Sequence, residues 1–335
     1  MFEVSKMSNE IRDYMYALLS KLSSQERREI VVYLQDMELS AATLKNTGDL
    51  VKEKRFNSGF FCPHCRSKYV VRHGFCGDRQ RYYCKTCTKT FTDLTGTPLH
   101  RLQLKEKFFQ SLRCMLEGYS LPRTAKTVGV SVPTAFYWRH KILDALRCLK
   151  DEQLSGIVEA DDTYVLDSEK GSRHLHRPPR KRGGKAKKPG INDEQVCIIV
   201  ARDRNDHTVS EVATLGRPTA EEIDAVLGNH ISSDSIFCSD KHRSFRKFAR
   251  LNDLQYVQLN LSQKIRVIKG LYHIQNVNSY HQRFKSWMRR FNGVATKYLS
   301  NYVHWFEFLE RAAKGKTCAV AQNDLLIRAC TANAA

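Results

Sequence analysis

The 335-residue chain has no apolar run approaching the ~20 residues that cross a bilayer. Its opening stretch, MFEVSKMSNEIRDYM, lacks the charged start, apolar core and small-residue cleavage site of a secretory signal. The expectation is therefore an intracellular, cytoplasmic protein without a membrane partner. Acids are also scarce: 35 Asp and Glu against 55 Lys and Arg leave a formal charge of +20. Such an excess points to a polyanionic partner, nucleic acid ahead of an anionic membrane. A disulfide framework is missing too. Of eleven cysteines, four form two CxxC pairs; Cys76, Cys114, Cys148, Cys197, Cys238, Cys318 and Cys330 are scattered and read as small apolar residues of a reduced compartment. The length exceeds the usual span of one domain and predicts a catalytic-sized core with smaller modules attached.

Positions 8 to 51 carry Ile11, Tyr14, Leu18 and Leu22, then Ile30, Val31, Tyr33 and Leu34, at helical spacing. Two short helices are expected, the second starting near Ser23 to Gln25, where a hydroxyl can cap free amides. This segment, 1–55, carries no chemistry and reads as a packing or dimerising appendage.

Over 56–100 the pairs Cys62/Cys65 and Cys84/Cys87 flank YVVRHG and RQRYYC, two segments that suit the strands of a hairpin. This is zinc-ribbon spacing. A tetrahedral ion takes four soft ligands, two from each CxxC turn, and its binding supplies folding energy that so small a core cannot. His64 and Cys76 lie nearby and add nothing the four cysteines lack; a redox CxxC is the minor alternative.

Residues 101–150 break into helical stretches at Gly118, Ser120, Gly129 and Ser131. The segment TAKTVGVSVPTAFYWRHKI resembles a helix-turn-helix, with Ser131 as cap and Pro133 in the first turn of a recognition helix. Ser131, Thr134, Arg139 and Lys141 are the expected DNA contacts, although modules of this grammar also serve as plain packing units.

From Gly156 the pattern becomes strand, strand, strand, helix, strand, helix, strand, helix: GIVEADDTYVLD, EQVCIIVARDR, HTVSEVAT, PTAEEIDAVLGNH, SIFCSD, KHRSFRKFARLN, LQYVQLN and HIQNVNSYHQRFKSWMRRF. That order is the one an RNase H-like fold requires, an α/β arrangement with a mixed sheet flanked by helices. Asp161 and Asp240 then sit in or just after strands that should be neighbours, and Asn278 on a helix. Phosphodiester chemistry uses hard cations with oxygen ligands, two ions about 3.5–4 Å apart in the two-metal arrangement. Asp161 would bridge them, Asp240 hold one, and Asn278 add a neutral carbonyl oxygen. An isolated aspartate is more often a cap or a surface charge; the strand contexts make the case.

VEADDTYV, SDKHRSF and above all NVNSYHQRFKSWMRRFNGVATKYLSNYVHWFEF resemble insertion-sequence transposases of the group numbered fifteen-ninety-five, in their ISXO-type domain. With the ribbon and the helix-turn-helix, the resemblance covers roughly 60 to 311. It implies a DDE-type DNA transposase that binds the terminal inverted repeats of its element and uses Mg2+ or Mn2+ to cleave DNA and transfer strands to target DNA. A homodimer or higher oligomer would form in the synaptic complex, and zinc would be structural. Asp161 and Asp240 correspond to the first two acids. The residue after the first is usually glutamate and here is Asp162, not expected as a principal ligand. The third position, glutamate in the broader pattern, is Asn278, a departure that lowers the site's negative charge and removes a base.

Lys285, two helical turns beyond Asn278, shares its face and would reach a phosphate or the leaving oxygen, with His281 second to it. Further DNA contacts are expected from Arg289 and Arg290, with Lys297 extending the positive surface. The basic interval GSRHLHRPPRKRGGKAKKPG supplies Arg180, Lys181, Arg182, Lys185, Lys187 and Lys188 on a mobile, phosphate-tracking loop. Tyr298, Tyr302, Trp305 and Phe306 recur at helical spacing and read mainly as core. The catalytic domain is placed at 151–312 and a C-terminal tail at 313–335. Two other readings stay open: an inactive transposase-derived DNA-binding protein, and a zinc-ribbon transcription regulator with an unrelated C-terminal domain.

Overall fold

A computed structural model describes residues 9–27, 30, 51–57, 59–77, 79–146, 153–180, 183–260, 263, 265–311 and 318–331. Among them no helix is long and apolar enough to cross a membrane. Of the N-terminal appendage, helix α1 (Asn9–Ser20) is described. The expected start of a second helix appears as a reciprocal cap: Glu26 N donates to Ser23 Oγ and Ser23 N to Glu26 Oε2. The remainder of that helix, with Val31, Tyr33 and Leu34, lies outside the described residues.

Strands β1 (Val70–Cys76), β2 (Arg79–Cys84) and β3 (Thr90–Thr92) form an antiparallel meander. Alternation sends Val70, Tyr82, Cys84 and Phe91 to one face, where they pack with Phe60 and the cysteines. A register shift between Arg72 and Phe75 contains Gly74 at φ 69°, a left-handed conformation that glycine adopts without a Cβ clash.

Helices α2 (Lys105–Leu116), α3 (Leu121–Val128) and α4 (Val132–Leu146) form the helix-turn-helix. Gly129 at φ 68° ends α3 in the left-handed region, and Ser131 Oγ accepts from Thr134 N to start α4. Phe108, Leu112, Trp138, Ile142 and Leu143 fill the space between these helices. The expected C-terminal tail contains a further helix, α9 (Cys318–Thr331), whose Leu325, Leu326 and Cys330 join this same core. Its large apolar residues Leu325, Leu326 and Ile327 are consecutive rather than spaced at a helical period, so the amphipathic stripe is faint in the sequence. Cys114, Cys197, Cys238 and Cys330 are buried as expected, whereas Cys76 is exposed.

The large sheet has the order β6-β5-β4-β7-β8, from β4 (Ile157–Leu166), β5 (Gln195–Arg202), β6 (Thr208–Leu215), β7 (Ile236–Ser239) and β8 (Gln255–Gln258). The first three are antiparallel, and β7 and β8 run parallel to β4. Alternation along β5 sorts two helical layers. Cys197, Ile199 and Ala201 pack beneath α5 (Ala220–Leu227) and α6 (Arg243–Leu251). Val196, Ile198 and Val200 face α7 (Gln275–Arg289) and α8 (Leu299–Arg311). This is the RNase H-like arrangement expected from the element order, and Tyr302, Trp305 and Phe306 are core as read.

His140 of α4 lies at the seam with α8 of the large-sheet domain, its ring 4.3 Å from those of Phe136 and Tyr298 and its Nδ1 3.2 Å from Asn301 Nδ2. Burial lowers its pKa from 6.5 to about 4. The unfolded chain therefore takes up a proton that the native seam refuses, and stability falls as pH drops from 6.5 toward 4. We expect His140 to cost about 2 kcal/mol between pH 7 and pH 5. Urea unfolding of His140→Phe at both pH values checks this; an unchanged pH slope would contradict it.

Candidate active site and metal-binding cluster

The two CxxC turns are built alike. Arg66 N donates to Cys62 O and Thr88 N to Cys84 O, and both donors adopt positive φ, 62° and 57°. These paired turns bring four sulfurs within 4.8 Å of one another, with Cys62 to Cys87 and Cys65 to Cys84 both at 3.6 Å. A zinc–sulfur bond of about 2.3 Å implies a tetrahedron edge of about 3.8 Å, so the cluster fits zinc. The backbone N–H of Cys87 is the main influence lowering the Cys84 thiol, to about 6, against the opposing effect of burial. We expect chelation or Cys84→Ser to unfold the ribbon and weaken DNA binding, because the ribbon core beyond the cysteines is little more than Phe60, Tyr82 and Phe91. Zinc analysis with a binding titration checks this, and purified protein without zinc would contradict it.

The second site lies on β4. Ile157 pairs with Ile236 and Glu159 with Cys238 in the parallel ladder to β7; two residues further, position 161 comes level with 240. Asp240 directly follows β7, its Oδ1 accepting from His242 N at 3.0 Å. Burial, followed by the nearby carboxylates of Asp162 and Asp240, drives Asp161 up to about 8, while the Asp162 backbone N–H and Lys285 oppose the rise. A divalent cation would offset this crowding of acids, and oxygen donors suit a hard one. Among the described residues, the four cysteines are the one group of three or more His, Cys, Asp or Glu side chains gathered within 4.8 Å. An ion at Asp161 and Asp240 would complete its shell from neutral groups, water and phosphate.

Asp162 points the other way. Its carboxylate accepts from Tyr164 Oη at 2.8 Å, and Tyr164 packs on the α5/α6 side. Strand alternation thus explains why the second acid of ADD is not equivalent to the first.

Helix α7 faces Asp161. His281 Nδ1 is 3.8 Å from Asp161 Oδ2, and burial with the nearby Lys285 charge holds the imidazole neutral, its pKa lowered to about 3. Asn278 and Lys285, one turn before and after His281, are exposed on this side of α7. Lys285 is close enough to influence both Asp161 and His281. His281 is therefore nearer the site than sequence reasoning ranked it.

Glu159 was missed. Fully buried two residues before Asp161, it accepts from Asn276 N at 2.8 Å, Asn276 Nδ2 at 2.9 Å and Val277 N at 3.2 Å, the free amides of the first turn of α7. Arg204 Nη1 lies 3.0 Å from its other side and His273 Nδ1 3.3 Å. The available signal was an acid between Val158 and Ala160 in a buried strand, on the same face as Asp161.

The expected DNA contacts divide. Arg139 is corrected: only 2% exposed, it donates through Nη2 to Tyr119 O and Thr124 Oγ1 and lies 5.0 Å from the Trp305 ring, inside the domain seam. Lys141 is half-buried and donates to His100 O at 2.9 Å, joining α4 to the ribbon's end. Ser131 is exposed and Thr134 half-buried, with their hydroxyls 2.8 Å apart; neighbouring Tyr137 is 61% exposed. In the basic interval, Arg177 and Arg180 both donate to Asp167 O, so the start of the expected mobile loop is tied down. Lys185, Lys187 and Lys188 are exposed, and Lys181 and Arg182 lie outside the described residues. Arg289 is exposed. Arg290 sits near the Glu117 and Gly118 carbonyls and so close to Gly118 that a Cβ there would lie 2.2 Å from its Nη1.

A five-stranded sheet ordered 3-2-1-4-5, with its second strand antiparallel, one aspartate on strand one and another just after the adjacent strand four, defines an RNase H-like domain. Residues 153–310 match the ISXO2-like transposase domain family, and this part of the chain is a DDE transposase domain of that family. The chain is 25% identical over 279 residues to an uncharacterized protein in transposable element ISH50 of Halobacterium salinarum, covering 78% of this chain and 89% of that protein. It also aligns at 12% identity with a pre-cleavage Mos1 transpososome, over 62% of this chain and 78% of that one, with TM-score 0.21. The Mos1 mariner paired end complex with Mn gives 12%, 63% and 78%, also with TM-score 0.21. The strand order, not these two alignments, defines the fold.

Proposed function

We propose that the chain is a metal-dependent DNA transposase that binds the terminal inverted repeats of an insertion sequence, cleaves there and transfers the freed strand to target DNA. The observation that supports this most is Asp161 on β4 with Asp240 close by at the end of the adjacent parallel strand β7, and with Lys285 and His281 opposite on α7. In this reading 56–100 and 101–150 recognise DNA, 151–312 carries the chemistry, and at least two copies join two ends in a synaptic complex.

Asp161 and Asp240 would hold Mg2+ or Mn2+, with Asn278 contributing a neutral oxygen. Such an ion, when bound, lowers the pKa of a bound water and neutralises charge on the phosphate under attack. Lys285 places a positive charge beside the same phosphate. His281 stays neutral and orients Asp161 rather than taking a proton, and Asn278 has no proton to take. The exposed cations of the ribbon, Lys185, Lys187, Lys188 and Arg289 draw the DNA backbone across the surface. The test is a cleavage assay with duplexes carrying the inverted repeats that flank the gene. Metal-dependent nicks at the element boundary are expected, and an inert protein with Mg2+ and Mn2+ would overturn the assignment.

The neutral third ligand carries its own prediction. Asn278→Glu adds a charge, so half-maximal cleavage should need roughly tenfold less Mg2+. A metal titration showing no shift would remove Asn278 from the ligand set.

A further inference from the structure

The ribbon has two faces, and the zinc site accounts for one. On the other, the register aligns Val71 with Tyr83 and Tyr83 with Thr90, and Arg81 with Thr92; Lys85 N donates to the carbonyl of Tyr69, one step before β1. Tyr69 is 75% exposed and Val71 39%, and the His73 ring lies 5.6 Å from that of Tyr83. Arg81 crosses the surface to donate to His73 O at 3.1 Å. Among the described residues between positions 66 and 92 there is no acid, and the sequence there has seven Lys and Arg against one Asp. A large apolar ring left exposed in so small a module, which has few apolar residues to spare for its core, calls for a partner.

We infer that this outer face binds an unpaired DNA strand by stacking bases on Tyr69 and Tyr83, with Arg81 and Lys85 along the backbone. This rests on the DNA-handling reading above and names a mode of contact for it. Tyr69 and Tyr83 are diagonal neighbours across the β1–β2 pair, roughly 7–8 Å apart at the backbone, which suits rings serving successive bases. Rings spread on a sheet stack on bases that have left the helix, whereas reading an intact groove needs long polar side chains that reach base edges. A second copy of the chain is a poor occupant because two such cationic faces repel. A cut element end offers an unpaired strand of the required kind.

The test uses the full chain with two probes, a labelled oligothymidylate and a duplex element end, and reads anisotropy beside zinc per chain. For Tyr69→Ala with Tyr83→Ala we expect oligothymidylate affinity to fall roughly tenfold or more, duplex affinity to stay within about twofold, and Tyr→Phe at both positions to retain binding. Tyr69→Ser alone, at a largely exposed position, should lose about fivefold and keeps the test valid if the double variant loses zinc. Zinc-replete variants with unchanged oligothymidylate affinity would overturn the inference. So would equal losses on both probes, or a shift from dimer to monomer. A parent protein that binds the duplex but not the single strand sinks this inference alone; one that binds neither sinks the DNA reading as well.

Discussion

Asp161→Asn is expected to lower metal-dependent cleavage by roughly a thousandfold or more while duplex-end binding persists, and Asp240→Ala should behave alike. Each change removes an anionic oxygen from a site where, among the described residues, no group of three or more His, Cys, Asp or Glu side chains gathers within 4.8 Å. The fold should not suffer. Asp161 is an acid whose native pKa lies near 8 rather than 3.8, held there by burial and by the carboxylates of Asp162 and Asp240. The native state therefore keeps a proton that the unfolded chain gives up, and the residue's contribution to stability declines as pH rises from about 4 to about 8. Asp161→Asn removes that penalty and should raise the unfolding temperature of metal-free protein by a few degrees at pH 8. Asp162→Asn is the control, since its carboxylate lies toward the α5/α6 layer and bonds Tyr164; its effect on cleavage should be at least tenfold smaller. Cleavage assays and thermal melts of the three variants decide this. Full activity in Asp161→Asn would end the assignment, and comparable losses in Asp162→Asn would mean that the wrong face has been named.

Glu159→Ala is expected to destabilise the chain by about 3 kcal/mol or more and to abolish cleavage without touching a metal ligand. The side chain satisfies two backbone amides and one side-chain amide at the start of α7, and it balances Arg204. Its removal leaves those donors buried or half-buried without an acceptor. The helix that carries Asn278, His281 and Lys285 would then lose its attachment to the strand that carries Asp161. Glu159→Gln keeps the shape and one acceptor but turns an N–H toward other donors, so an intermediate loss is expected. Urea midpoints measured beside cleavage separate the roles: a positioning residue moves both together, and an unchanged midpoint in Glu159→Ala would show that α7 is held elsewhere.

Much of this arrangement was legible residue by residue. The CxxC spacing, the Gly129 turn with its Ser131 start, and the order of the eight catalytic-domain elements each rest on local chemistry: thiolates on one turn, a left-handed glycine, apolar residues at period two or 3.6. Asp161 stood out because it interrupts a buried strand. Arg139 and Glu159 were not read correctly, for one shared reason. A cation at position 139 of a recognition helix and an acid at 159 look like surface chemistry until their partners are known, and those partners lie at Tyr119, Thr124 and Trp305, and at Asn276, Val277 and Arg204. Helix α9 escaped notice because its buried Leu325, Leu326 and Ile327 are consecutive and leave no clear helical period.

The sequence by itself determined the elements, their order and the two CxxC turns of the four-cysteine cluster, since each depends on residues close together along the chain. Only the tertiary structure decided which face each charge occupies. The level of 161 with 240 comes from the parallel pairing of β4 and β7, the difference between Asp161 and Asp162 from which helical layer covers each side of β4, and the rank of His281 from how α7 is anchored by Glu159. These are distances between residues 80 to 120 positions apart, and burial sets the sign and size of electrostatic effects there in a way that local sequence does not encode.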